Sequence, residues 1–312
     1  MSIKVAVLRG GVSSGYDDSL KTGGHILSLI REMPECYEPI DIFISKDGEW
    51  HSTGLTEEPH KILSKADVVW STLHGSYGEG GRVQSLLENL QIPFVGSRTL
   101  SSVLSNNKAF AKKLYRDYLL LTPTGELIDE ENFSEEKLAS IFRKYFYPVV
   151  VKPANGVKAL GVRLAHTLSD LKDAIRETFK HSPKVLVEEY VSGIVASCLV
   201  VEGVNRDNIS INGENLYSFI PAVLEMPLRK GNLSVEESRK IGEMAKTAHS
   251  ALGLRHYSSS DFIISPNGKI YIIETNSIPV IHEDSLLYKS MATTGWRPLD
   301  FVDHCLRLVL KK

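Results

Sequence analysis

Cysteine is scarce: three residues in 312, Cys36, Cys198 and Cys305, far apart and without a Cys-x-x-Cys pair. That excludes a disulfide framework or a cysteine zinc site and suits a cytoplasmic, reducing setting. Charge of one sign is not in excess either. The chain carries 36 Lys and Arg against 38 Asp and Glu, a formal net charge of −2, so no nucleic-acid partner is expected. No apolar run is long enough to span a bilayer, and the opening residues read as a strand rather than a leader, so no membrane partner is expected. Also missing are a GK[ST] phosphate loop, a GxGxxG after a strand, a Ser–His–Asp order and a glycosidase-like carboxylate pair. What remains is a globular composition, 42% hydrophobic and 24% charged, with length enough for two or three domains.

The first third alternates strand and helix patterns. The apolar run Val5 to Leu8 stops at Gly10-Gly11 and reads as a buried strand. A helix over 19–31, strands over 40–44, 68–73 and 93–95, and a helical pattern through Val83, Leu86, Leu87 and Leu90 complete a mostly parallel, doubly wound sheet. The spacing then predicts one helix from Thr99 to Tyr118, a helix over 134–145, a strand over 149–152 and a small-residue loop. Beyond that loop come a strand over 162–164, a helix over 169–181 capped by Ser169, and a strand over 185–189. Further strands, a helix over 235–252, a hairpin and a closing helix to Leu310 finish the chain.

The hairpin DFIISPNGKIYIIETN, residues 261–276, carries the clearest chemistry. With Asn267-Gly268 as a two-residue turn, Asp261 falls directly opposite Glu274, with Cβ atoms about 5 Å apart, and Asn276 shares the face of Glu274. Opposed carboxylates repel unless one is protonated or a cation lies between them. Two carboxylates and an amide oxygen make a hard site suited to Mg²⁺, with Mn²⁺ an alternative; the other reading is a solvated acidic pair. Lys152, ending the strand PVVV, precedes a loop of small residues that contains Lys158, a pattern fitted to a polyphosphate or to plain exposure. Glu188, Glu189, Tyr190 and Val191 end another strand, whose edge offers backbone groups to an adenine or simply terminates. His74, in LHGSYGEGG, sits at the carboxyl end of a parallel strand, where ligands bind in open α/β sheets. Ser13 and Ser14, beside Gly15, suit either an anion or a turn.

Together these segments resemble the D-alanine–D-alanine ligases of the ATP-grasp superfamily over nearly the whole chain. The motifs are VAVLRGGVS (5–13), LHGSYGEGG (73–81), PFVGS (93–97), LSNNK (104–108), VVVKP (149–153) and VEEYV (187–191). Asp261, ETNSIP (274–279) and Ser285-Leu286 complete them. The resemblance implies a mixed α/β, three-domain ATP-grasp architecture, divided at 1–98, 99–190 and 191–312. ATP would lie between the second and third domains, with metal on Asp261, Glu274 and Asn276. It implies phosphate contacts from Lys108 and Lys152, an adenine-side acid at Glu188, and hinge backbone from Glu189 to Val191. His74 would meet the first substrate's carboxyl group and Ser285 the second's; Lys158 and Ser14 join them as catalytic candidates. The implied activity joins two D-alanines through an acyl phosphate, for peptidoglycan precursors; a homodimer is compatible with it.

This chain departs from the family pattern at several positions. The acid that holds the first ammonium falls at Gly15, an arginine falls at Ser259, and a glycine falls at Val280. A loop serine falls at Lys158, the ribose acid falls at Val195, and the long covering loop shrinks to about 224–231. Lys158, Arg229 or Lys230 would then supply the cation missing at Ser259. The alternatives are a ligase for another amino acid or a hydroxy acid, and a nucleotide-binding homologue without catalysis.

Overall fold

A computed structural model describes residues 2–156, 161–204, 210–211, 214–224 and 233–310. The first sheet contains β1 (Ile3–Gly10), β2 (Tyr37–Ile44), β3 (Trp50–Ser52), β4 (Leu55–Thr56), β5 (Val68–Ser71) and β6 (Phe94–Val95) in the order β4-β3-β2-β1-β5-β6. Its β2-β1-β5-β6 run is parallel, and β3 and β4 add an antiparallel edge. The expected sheet is therefore present, and β1 shows why its sequence is uniformly apolar. Val5 and Val7 enter one buried cluster with α1 (Tyr16–Arg31), whereas Ala6 and Leu8 enter another beneath α2 (Pro59–Leu63), α3 (Ser76–Glu79) and α4 (Arg82–Asn89).

Next in the chain are α5 (Thr99–Asn106) and α6 (Lys108–Asp117), where one helix was expected. The break is Asn107, with extended backbone (φ −90°, ψ 101°), whose Oδ1 accepts from the N–H groups of Ala109 and Phe110 at 3.1 Å. An Asx cap competes with helix continuation, and here Asn107 also bridges to Asn155 while Lys108 N donates to Ala154 O at 2.8 Å. The consequence is functional: Lys108 starts a new helix against the loop that follows Lys152.

The second sheet, β7-β10-β8-β9, comprises β7 (Gly125–Asp129), β8 (Val149–Pro153), β9 (Arg163–Ala165) and β10 (Lys184–Glu189), backed by α7 (Glu135–Lys144) and α8 (Leu168–Phe179). The cap of α8 is Thr167 rather than Ser169. Thr167 Oγ1 accepts from Asp170 N and Asp170 returns a bond to Thr167 N, both at 3.1 Å, so the reciprocal pair outcompetes the later serine.

The third sheet holds β11 (Ile194–Glu202), β12 (Ser210–Ile211), β13 (Glu214–Ser218), β14 (Ala222–Val223), β15 (Tyr257–Ile264) and β16 (Ile270–Asn276). One face packs on α6 and α9 (Val235–Ala251). The other meets α10 (Leu286–Thr293) and α11 (Pro298–Leu310), which also cover the first sheet. Thus α6 belongs by packing to the third sheet's core, although it precedes the second in sequence. The β15–β16 turn differs from expectation. Gly268 N bonds Ser265 O and Ser265 N bonds Lys269 O, both at 2.9 Å, leaving a three-residue loop with Gly268 left-handed at φ 77°. The ladder starts one residue out of step, Phe262 facing Ile272, until a bulge at Ile273 restores Asp261 opposite Glu274. The expected pairing holds because these two departures cancel. All three cysteines are free, and among the described residues no helix is long and apolar enough to cross a membrane.

Candidate active site

The second and third sheets enclose a cavity of about 240 Å³, lined among others by Lys108, Lys152, Glu188 to Val191 and Glu274. Lys152 on β8 faces Leu186 on β10, which places Glu188, two residues on, diagonally across the same face. Their side chains form an ion pair, both almost fully buried, and Lys112 closes on the other oxygen of Glu188 at 2.8 Å. Glu189 is partly committed elsewhere: its Oε1 accepts from Thr124 N at 2.8 Å and its own N donates to Thr124 O at 2.9 Å. Tyr190 is about half exposed and Val191 follows it at the cavity wall. Lys108, on the first turn of α6, reaches Glu274 Oε2 and Gly156 O, each at 2.8 Å.

Asp261 and Glu274 face each other across the β15–β16 ladder, and the Asn276 amide favours the charged form of both. Burial and then the charge of Glu274 push Asp261 up to about 7, against Ser197, Lys108 and Asn276. Burial also presses on Glu274, but Lys108, with Lys152 and Asn276, outweighs it and holds this carboxyl below the usual range. A divalent cation between the two would offset the repulsion that, after burial, raises Asp261. Two carboxylates and one amide fit Mg²⁺ or Mn²⁺, which leave positions for phosphate and water; among the described residues no cluster of three or more His, Cys, Asp or Glu offers a closed cage. Ser197, which sequence reasoning missed, faces Asp261 from β11 and donates its hydroxyl to that carboxylate. Behind the ladder, Tyr115 donates to Thr275 Oγ1 at 2.8 Å and Thr275 shares a 2.8 Å bond with Ser260. This buried chain fixes α6, and so Lys108, against β16.

A second cavity, about 400 Å³, includes His74, Glu79, Ser259, Asp261, Asn276, Val280 and Ser285 in its lining. Among the described residues Glu274 alone lines both cavities. His74 lies beyond the carboxyl end of β5, its Nε2 3.2 Å from Thr22 Oγ1 and its Nδ1 3.8 Å from Glu79 Oε1. Glu79, also missed although it lies inside a quoted motif, is buried and accepts from Gly75 N at 3.1 Å; burial raises it above the usual carboxylate range. Ser285 caps α10, accepting from Tyr288 N at 3.2 Å and His282 N at 3.3 Å. Ser14 is exposed on the turn before α1 and lines neither cavity, whereas Ser13 donates to His74 O. A Cβ on Gly15 would stand 2.5 Å from His74 Cβ and 2.7 Å from its carbonyl carbon, so this loop has no room for an acid there. Lys158, Arg229, Lys230 and most of the 224–231 segment lie outside the described residues.

Comparison with known proteins agrees with this geometry. Residues 117–307 match the family model of the D-ala D-ala ligase C-terminus, and residues 51–97 match that of the D-ala D-ala ligase N-terminus. The vancomycin/teicoplanin A-type resistance protein VanA of Enterococcus faecium is 30% identical, covering 99% of each chain. A D-alanine–D-alanine ligase of Aquifex aeolicus is 32% identical over 91% of this chain and 93% of its own. Among solved structures, the VanG D-Ala:D-Ser ligase of Enterococcus faecalis superposes with a TM-score of 0.85 at 25% identity, covering 99% of this chain and 100% of that one.

Proposed function

The chain belongs to the D-alanine–D-alanine ligase family of carbon–nitrogen ligases with the ATP-grasp fold, and from that premise we propose that it joins two D-alanines at the expense of ATP, for peptidoglycan precursors. The observation that carries this reading is Glu274, a residue common to a cavity that holds Lys108 and Lys152 and to a second cavity lined by His74 and Ser285. In our reading Lys108 and Lys152 hold phosphate oxygens, and the backbone from Glu189 to Val191 meets the adenine. His74 orients the carboxylate of the first amino acid. Ser285 and the α10 N-terminus receive the carboxylate of the second, since unpaired N–H groups and the helix dipole favour an anion there. A Mg²⁺ or Mn²⁺ ion on Asp261, Glu274 and Asn276 would offset charge on the terminal phosphoryl group. A carboxylate oxygen of the first amino acid attacks that phosphorus and ADP leaves. The neutral amine of the second then attacks the resulting acyl phosphate, and inorganic phosphate leaves.

The division at 1–98, 99–190 and 191–312 is part of the same reading, each segment holding one sheet. We assign Lys158 the charge that position 259 lacks. A second reading, another acceptor in place of the second D-alanine, is favoured by Ser259 and Val280 in the lining of the second cavity. One assay separates them: ATP, Mg²⁺ and single amino acids, with phosphate release as the readout. Release that depends on D-alanine alone supports the first reading. Release only with a second, different acceptor supports the other. Nucleotide binding without release under any condition refutes both.

A further inference from the structure

Lys112 lies one turn after Lys108 on α6, on the same helix face, but lines neither cavity and is 2% exposed. Its neighbour Lys113 is exposed, as an ordinary helix lysine is. The Lys112 ammonium forms an ion pair with Glu188 Oε2 at 2.8 Å and donates to Thr122 Oγ1 at 2.8 Å and Pro123 O at 3.2 Å. The first is an ion pair and the other two are hydrogen bonds, so the ammonium is held on the side of Glu188 that faces away from the cavity. A buried lysine is unfavourable unless its charge does something for its surroundings.

The surroundings show what that is. Glu188 is 3% exposed and Lys152 4%, and the two form an ion pair at the wall of the nucleotide cavity. A lone lysine–glutamate pair is neutral as a unit and attracts a phosphate weakly. A carboxylate shared by two ammonium groups leaves one unit of positive charge over, and the low dielectric of the site magnifies it. Lys108 cannot supply that excess, because Glu274 already compensates it at 2.8 Å.

We propose that Lys112 is a positioning residue for nucleotide binding: by engaging Glu188 from behind, it leaves the charge of Lys152 uncompensated toward the phosphates. This rests on the reading of the cavity as an ATP site. Burial pulls Lys112 down to about 8; Glu188 opposes that pull, while Lys152 on β8 and Arg116 on its own helix add to it. The compensation therefore fails in mildly alkaline solution.

A double-mutant cycle on the whole protein tests the proposal, with the ATP dissociation constant measured by displacement of a fluorescent nucleotide. Lys112→Met weakens ATP about tenfold in the otherwise unaltered chain and less than twofold beside Glu188→Gln, where no carboxylate is left to compensate. Equal losses in the two backgrounds would overturn the proposal. A purely structural lysine would lower the melting temperature without that dependence on Glu188. The second measurement does not need Lys112→Met to fold. ATP affinity of the unaltered chain falls as pH rises through about 8, and that of Glu188→Gln does not. Parallel pH profiles for the two would overturn the proposal, while leaving the ATP site intact. A chain that binds no ATP at any pH refutes the site itself.

Discussion

The cavity between the second and third sheets takes most of its ionisable groups from paired strands and one helix start, whereas the second cavity adds His74, Glu79, Val280 and Ser285, from loops and short helices, to strand residues such as Asp261 and Glu274. The difference has consequences for both charge and tolerance. Along a ladder the period of two and the register decide which side chains meet, so Lys152 meets Glu188 and Asp261 meets Glu274 through backbone geometry alone. In the loops, position depends on close packing, as where Gly15 lies against the backbone of His74. Departures from the family pattern fall on both sides, among them Val195, where the resemblance places a ribose acid, and Ser259 and Val280 in the lining of the second cavity.

Glu274 belongs to both regions, so its alteration has the largest expected effect. Glu274→Gln keeps the volume and removes the charge that Lys108 and the cation site share. Phosphate release is expected to fall by about a hundred- to a thousandfold, with the fold intact by circular dichroism. Near-normal release would break the comparison, because the two cavities would not then be working through a common group. Ser197→Ala comes next. Its hydroxyl donates to Asp261, so the half-saturating Mg²⁺ concentration is expected to rise about tenfold, in the range typical of residues that orient metal ligands. An unchanged Mg²⁺ requirement would separate Ser197 from the cation site.

Gly15→Asp sharpens the comparison from the other side. It restores the acid of the family pattern, but a Cβ there meets His74 at 2.5 Å. The expected outcome is a loss of about 1–3 kcal/mol in stability. The KM for amino acid rises several-fold while ATP affinity stays unchanged. A gain in turnover would mean that the loop yields and that its packing does not set the first-substrate end.

Much of this was legible in sequence because the fold is built from periodic segments. The parallel sheet follows from runs such as Val5 to Leu8, and the pairing of Asp261 with Glu274 follows from the hairpin, although the turn is longer and a bulge makes up the difference. Asn107 hid a helix break because an Asx cap in mid-pattern looks like an ordinary polar position. Ser197 and Lys112 were illegible for another reason. Each matters through a contact far away in sequence, 64 residues for Ser197 with Asp261 and 76 for Lys112 with Glu188, and no local period encodes that. The quoted LHGSYGEGG motif did contain Glu79, and its spacing of five from His74 was the available signal.

The smallest effect on turnover is expected far from both cavities, where the first sheet is tied to the third. His256 is buried, its Nδ1 accepts from Gly96 N at 2.9 Å, and its backbone is left-handed at φ 66°. Burial, reinforced by Arg255 and His249 against the pull of Glu202, lowers it to about 4. The folded chain therefore holds this imidazole neutral, whereas an unfolded chain protonates it below about 6.5. Its contribution is complete above about pH 6.5 and is lost as the pH falls toward 4, a span worth about 3 kcal/mol. His256→Asn keeps an acceptor and tolerates the left-handed backbone but does not titrate. Melting curves between pH 7 and 4 are expected to decline less steeply for this variant than for the unaltered chain, with equal phosphate release at pH 7. Parallel melting curves would show that the seam holds through its apolar contacts instead, and that the imidazole of His256 adds nothing that acid can remove.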